Sequence, residues 1–245
     1  MAYISTEPAS QRARNITWLP LRAKLRDGRV VRLVRVEAAS DDSIVAAMHA
    51  LMNYELVVRG DSYPFPPEPL TRAQFLAYYC AFDTFALVLE RPGDAAATAP
   101  GGYDFGRELV GCFYVKPNYP YRSAHVCNAG FMVVPSLQRG LGAGELMARA
   151  FVVLAEELGY RHSMFNLVYD TNAGSIRLWD KLGFRRVSTI PGGGRLKATP
   201  GEGPSGRDEK THLVDAHQYL GDLRRMAPAQ REYFALPARR VAAKL

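Results

Sequence analysis

The stretch from residue 139 to residue 184 constrains the fold of this chain more than any other. It opens with a glycine-rich turn, Arg139-Gly140-Leu141-Gly142-Ala143-Gly144. An apolar helix follows, with Met147, Phe151, Leu154 and Leu158 at three- and four-residue spacing, so one face must be buried. Gly159 stops it. Met164 to Tyr169 then reads as a strand. Asn172 starts a second helix that turns Ile176, Trp179 and Leu182 inward and ends at Gly183. A glycine turn feeding a helix N-terminus binds anions, because unbonded backbone N–H groups and the helix dipole point at the ligand. Helix, strand and helix in succession behind such a turn call for an α/β architecture.

The flanking sequence fits. Val30 to Val36 alternates apolar and basic residues, as a half-exposed strand does. Asp41 or Asp42 can cap a helix running through Ile44, Met48, Leu51 and Met52. Pro64, Pro66, Pro67 and Pro69 forbid regular structure between that helix and a second, which Thr71 caps and which buries Phe75, Leu76 and Tyr79. Phe85–Leu89, Leu109–Lys116 and Ala124–Val134 read as strands, the last two joined by the turn at 117–120. Phe184–Ile190 and Val214–Leu220 are the final strands. The expected order is β-α-α-β-β-β-α-β-α-β-β, a mixed sheet flanked by helices. Residues 1–15 read as a flexible extension and 16–222 as one domain. Within it, 91–107 is a flexible connection and 191–210 a Gly- and Pro-rich surface insertion. Residues 223–245 read as a basic tail, with room for a short helix.

A chain of 245 residues with 48% hydrophobic and 22% charged residues is a soluble globule rather than a disordered chain. Its net charge of +7 suits an anionic partner. The basic residues crowd the two ends and no aromatic residues interleave them in a nucleic-acid-binding pattern, so no nucleic-acid partner is expected. Cys80, Cys112 and Cys127 have neither zinc-ligand nor disulfide-framework spacing, so no metal is expected. No apolar run approaches the roughly 18 residues of a membrane span. No secretory signal is evident, and the cytoplasm is the expected location. An Arg- and Ser-containing start offers a mitochondrial alternative that Glu7 and Asp27 weaken.

The paired motifs resemble the acetyl-CoA site of the GCN5-related N-acetyltransferase (GNAT) superfamily. Its pyrophosphate motif, Arg/Gln-x-x-Gly-x-Gly/Ala, is matched by Arg139, Gly142 and Gly144. Its second element is similar to the run from Asn172 through Ser175 and Trp179 to Phe184. The resemblance implies a GNAT fold whose fourth and fifth strands, here 124–134 and 164–169, splay apart. It implies acetyl-CoA as co-substrate. Arg139, Gly140, Leu141, Gly142, Ala143 and Gly144 would hold the pyrophosphate. Phe131, Met132, Val133 and Val134 would pair with the pantetheine through their backbones, and Asn172 and Ser175 would complete the cofactor site. A homodimer is common in the superfamily.

A closer resemblance runs over roughly residues 108–195, through Leu109–Tyr119, His125–Phe131 and Phe165–Val168. These segments are similar to the fungal L-azetidine-2-carboxylate N-acetyltransferases, which acetylate the ring nitrogen of proline analogues. That implies a cyclic imino acid as acceptor. Asn128 and Asn166 stand in mostly apolar strands at the splay. Their amides, with a backbone N–H and Leu167 beside them, can hold a carboxylate without burying a net positive charge. Asn166 and Asn172 are the catalytic candidates, Asn172 supporting the oxyanion or the leaving sulfur. Many superfamily members carry a tyrosine that protonates the CoA thiolate where this chain has Trp179; Tyr169 or a water could take that role, or the thiolate, a good leaving group, could leave without help. No general base is evident. Cys127 has no base paired with it, so direct attack by nitrogen is expected. The alternatives are another amine acceptor (polyamine, drug or protein) or a CoA-binding protein without turnover.

Overall fold

A computed structural model of the chain describes residues 16–39, 41–90, 105–106, 108–137, 140–198 and 210–237. The expected N-terminal extension, most of the 91–107 connection, residues 199–209, the end of the basic tail and Arg139 lie outside the described residues.

The strands are β1 (Leu21–Lys24), β2 (Val30–Arg35), β3 (Asp83–Leu89), β4 (Leu109–Pro117), β5 (Val126–Val133), β6 (His162–Tyr169), β7 (Arg185–Lys197) and β8 (Thr211–Asp222). The helices are α1 (Asp42–Asn53), α2 (Arg72–Tyr79), α3 (Ala143–Glu157), α4 (Ala173–Leu182) and α5 (Leu223–Tyr233). Among the described residues the strands form one sheet in the order β1-β2-β3-β4-β5-β6-β8-β7. Every neighbouring pair is antiparallel except β5 and β6, which run parallel. The expected mixed, mostly antiparallel sheet is present.

Helices cover both faces of the centre, which is why β3 and β4 are buried along their whole length rather than alternating. On one face Phe113 packs edge-on against Phe151 of α3. On the other, Tyr114 meets Tyr78 and Tyr79 of α2. Thr71 caps α2 through a reciprocal box with Gln74, as its sequence predicts. Asp41 precedes α1 but its carboxylate accepts from the Glu37 N–H and caps nothing in the helix. Past Asn53 the helix widens into a π-helical segment, Tyr54–Arg59, which ends at Gly60 in the left-handed conformation.

The structure adds to the expected elements and corrects one of them. Strand β1 was not foreseen; it adds an edge by pairing Leu21–Lys24 with Val30–Leu33. Residues 191–197 are not part of a surface insertion: they continue β7, and Gly194 to Lys197 pair with Val214 to Thr211 of β8 past a register shift. Residues 223–233 form the helix for which the basic tail leaves room, α5, which packs on α3: it buries Leu223 and Ala227 and sets Arg231 against Glu156 and Glu157 at 2.8 and 2.7 Å.

Candidate acetyl-transfer site

The glycine turn has the conformation its composition predicts. Gly140 and Gly142 have φ of 78° and 81°. No atom lies within 4 Å of a Cβ built on Gly140, so backbone conformation and not crowding calls for glycine there. Gly142 is the N-cap of α3 and has no side chain to cap it, so the first N–H groups of α3 stay available to an anion. Arg26, in the turn between β1 and β2, lies across this site. Its N–H donates to the Leu141 carbonyl at 3.0 Å and its guanidinium to the Gly140 carbonyl at 3.3 Å. Glu145, in the first turn of α3, would repel a phosphate, but Lys181, Arg149 and Arg26 surround its carboxylate at 2.7, 2.8 and 3.3 Å. Arg26 was missed because only β1 folds it over the turn. Ala143 is buried, and Leu141 and Gly144 are half-buried.

The splay is plain in the strand register. Strands β5 and β6 pair only at Val126–His162 and Cys127–Ser163. Beyond that point the edge of β5, with Phe131, Met132 and Val133, has no ladder with β6. This is the kind of edge to which an extended ligand can add. The Phe131 carbonyl accepts from Tyr63 at 3.3 Å. The Phe131 ring is core: it stacks on Phe113 at 5.1 Å and lies 5.4 Å from Trp179. Val134, just past the strand, is buried and donates to Val110. Asn172 caps α4 by accepting the Ser175 N–H at 3.1 Å. Its oxygen is thereby committed, and its Nδ2 is the atom left to donate to a ligand. Trp179 is buried, 4.2 Å from the Phe165 ring centroid, and anchors α4 to β6.

Asn166 and Asn128 do reach the splay, but not as a pair. A register shift between Phe165 and Val168 breaks the alternation of β6, so Asn166 and Leu167 are both half-buried while Val168 and Tyr169 are both buried. The partner of Asn166 is Asn118, just after β4. Asn118 Nδ2 donates to Asn166 Oδ1 at 3.0 Å, and Asn166 Nδ2 donates back to Asn118 Oδ1 at 2.6 Å. Asn128 stands opposite Lys116 in the β4–β5 ladder. Its Oδ1 accepts the Ala129 N–H at 2.7 Å.

Lys116 is buried, and its ammonium lies over the rings of Tyr78 and Tyr114 at 4.0 and 4.3 Å. Burial lowers its pKa to about 8. Tyr78 and Tyr114 share a hydroxyl hydrogen bond of 3.1 Å. The Tyr169 hydroxyl is buried with no hydrogen-bond partner, and burial raises its pKa to about 12. Glu55, in the π-helical segment, is held near pH 7 by burial, which outweighs the attraction of Arg59. Cys127 is buried on the opposite face from Asn128, and its thiol is pushed up to about 12, so it is protonated at neutral pH. Neither Lys116 nor Asn118 was singled out from sequence. A lysine and an asparagine inside an otherwise apolar strand end were the available signal.

Residues 48–184 match the model of the acetyltransferase (GNAT) family. The chain is 37% identical to N-acetyltransferase aca1 of Schizosaccharomyces pombe over 162 residues, 65% of this chain and 76% of that protein. It is 36% identical to Protein SPT10 of Saccharomyces cerevisiae over 118 residues, 47% of this chain and 18% of that protein. The solved structure of a GCN5-related N-acetyltransferase from Kribbella flavida superposes with a TM-score of 0.57 at 24% identity, covering 78% of this chain and 97% of that one. The structure of yncA from Salmonella typhimurium with its cofactor acetyl-CoA superposes with a TM-score of 0.57 at 16% identity, covering 79% and 94%. A glycine turn opening α3, a splayed strand pair and a family match over more than half the chain agree: this protein belongs to the GNAT family and is an acetyl-CoA-dependent N-acetyltransferase.

Proposed function

We propose that the acceptor is a small cyclic imino acid, of the type of L-azetidine-2-carboxylate or a hydroxyproline. The observation that carries this reading is the convergence of three asparagines, Asn118, Asn128 and Asn166, at the mouth of the splay, on or beside the β4–β5–β6 ends. Amide donors bind a carboxylate and orient it. The similarity to the proline-analogue acetyltransferases over residues 108–195 supports the same acceptor.

Acetyl-CoA, when bound, supplies the thioester from which the acetyl group is transferred. The first turn of α3 with Gly140, Gly142 and Arg26 holds its phosphates, and the β5 edge at Phe131–Val133 holds its arm. Asn166, fixed by Asn118, and Asn128 orient the acceptor so that its nitrogen faces the splay. Asn172 Nδ2 donates to the oxygen that gains charge during transfer. Trp179 is a packing residue with no acid to offer, and the acceptor proton leaves through water.

The test is release of CoA thiol by the purified protein with L-azetidine-2-carboxylate, cis-4-hydroxyproline, proline, spermidine, an aminoglycoside and a basic peptide. Turnover confined to the cyclic imino acids supports the reading. Turnover with the polyamine or the peptide in their place overturns it.

A further inference from the structure

We infer that Lys116 is the anion anchor of the acceptor site, its ammonium holding the acceptor's carboxylate beside the Asn128 amide and under the faces of Tyr78 and Tyr114. The inference rests on the proposed transfer to an acid and deepens it, by adding a charged group that selects zwitterions over simple amines.

Lys116 is 7% exposed, yet among the described residues no carboxylate pairs with it. Burying an ammonium without a counter-ion is costly. The two tyrosine rings offset part of that cost, and their faces hold the ammonium in place. The neighbours of Lys116 are donors as well. Asn128, directly across the ladder and so on the same face, commits its oxygen to Ala129, and its Nδ2 has no acceptor among the described residues. A cation and an amide N–H thus stand on one face of the β4–β5 ladder, with no acceptor for either among the described residues. One carboxylate satisfies both. Burial lowers the Lys116 pKa only to about 8, so the group is still mostly charged at neutral pH. The same charge repels a polyamine or a basic peptide.

The variant for the test is Lys116→Met, which keeps an unbranched side chain one atom shorter and removes the charge. Its melting temperature in the absence of acceptor should equal or exceed that of the wild type. Lys116→Gln is the second variant if Lys116→Met does not fold. With acetyl-CoA saturating, KM and kcat are measured for L-azetidine-2-carboxylate, cis-4-hydroxyproline, proline and a linear amino acid, each beside its carboxamide. The wild type should prefer the acids. Lys116→Met should raise the KM of the acids by about 30-fold or more, and leave the carboxamides and the KM of acetyl-CoA unchanged. A variant that keeps the wild-type ratio of acid to amide overturns the assignment. If the wild type prefers linear amino acids and the variant loses that preference, the cyclic acceptor falls and Lys116 stands. If the wild type acetylates only carboxyl-free amines, both fall. If none of these acceptors turns over, calorimetric titration of the acids in the presence of CoA reads the same difference. Equal acid affinity for wild type and variant, or none for either, overturns the assignment.

Discussion

The Asn118–Asn166 pair is the part of the site most open to a quantitative test. Each amide donates to the other, at 3.0 and 2.6 Å, and Asn118 is 4% exposed. A neutral hydrogen bond contributes about 1 kcal/mol net, and a buried amide left unsatisfied costs about 1–3 kcal/mol. Asn166→Ala removes two bonds and strands the Asn118 amide, so it should cost about 2–3 kcal/mol. Asn118→Ala should cost about the same, since it removes the same two bonds. The double variant removes the stranded partner along with the bonds. It should therefore cost less than the sum of the single variants, with a coupling of about 1–2 kcal/mol. The assay is urea unfolding of the four proteins, each checked for an unchanged m-value. Melting temperatures should fall by about 2–4 °C per kcal/mol in a chain of this size. Kinetics add a second reading: Asn118→Ala leaves Asn166 in place but no longer held, so the acceptor KM should rise while that of acetyl-CoA does not. Additivity of the two substitutions within about 0.5 kcal/mol would refute the pairing and with it the claim that Asn118 positions Asn166.

Arg231→Ala removes the cation that faces Glu156 and Glu157 at 2.8 and 2.7 Å. It should cost about 3–5 kcal/mol in chemical denaturation, and a loss below 1 kcal/mol would show that α5 does not brace α3. Gly142→Ala places a side chain where φ is 81° and 3.4 Å from Arg26. It should raise the KM of acetyl-CoA with the acceptor KM unchanged, and an unchanged affinity for CoA by calorimetry would count against the turn as the phosphate site. Glu55 has its pKa raised from 4.5 to about 7 by burial. The folded state therefore holds a proton that the unfolded state has lost between those values, so the contribution of Glu55 to stability is greatest below pH 4.5 and falls by about 3 kcal/mol as pH rises to 7. Glu55→Gln should remove that slope, and parallel stability curves for the two proteins would contradict it.

Sequence periodicity is a good guide to this fold where burial and period agree, and it fails where glycine or charge occupies a packed position. Helices α3 and α4 carry regular apolar stripes, and their ends fall at Gly142, Gly159, Asn172 and Gly183 as local chemistry dictates. Strand β7 looked finished at Ile190 because Pro191 and three glycines follow. Gly193 and Gly194 mark close approach rather than a loop: a Cβ on Gly194 would lie 2.4 Å from the Tyr169 ring. Helix α5 reads only as room for a short helix in a basic tail, because its buried stripe is Leu223, Ala227, Gln230 and Arg231. Half of that stripe is polar. Arg149 donates to Gln230 at 2.7 Å, and the α3 glutamates answer Arg231, so no hydrophobic pattern could reveal it. Strand β1 has four residues, two of them exposed and basic. It pairs through its backbone, and backbone pairing leaves little trace in composition.

The acceptor site shows the same division more sharply. Its residue types were legible: amides in apolar strands at the splay. Their partners were not, because the β6 bulge changes which side chains share a face. Strict alternation sets Asn166 with Val168 and opposite Leu167. The bulge leaves Asn166 and Leu167 both half-exposed and turns Asn166 to Asn118. Two amides and a backbone N–H hold a carboxylate without buried charge. The β4–β5 ladder also sets a buried ammonium, Lys116, opposite Asn128 and between two tyrosine rings. An all-amide site would bind any planar oxygen group of the right size, carboxamides included, because amides donate to either. A site with a desolvated cation distinguishes the two by charge. The acid-to-amide preference of the wild-type enzyme therefore reports directly on whether the carboxylate is read by shape or by Lys116.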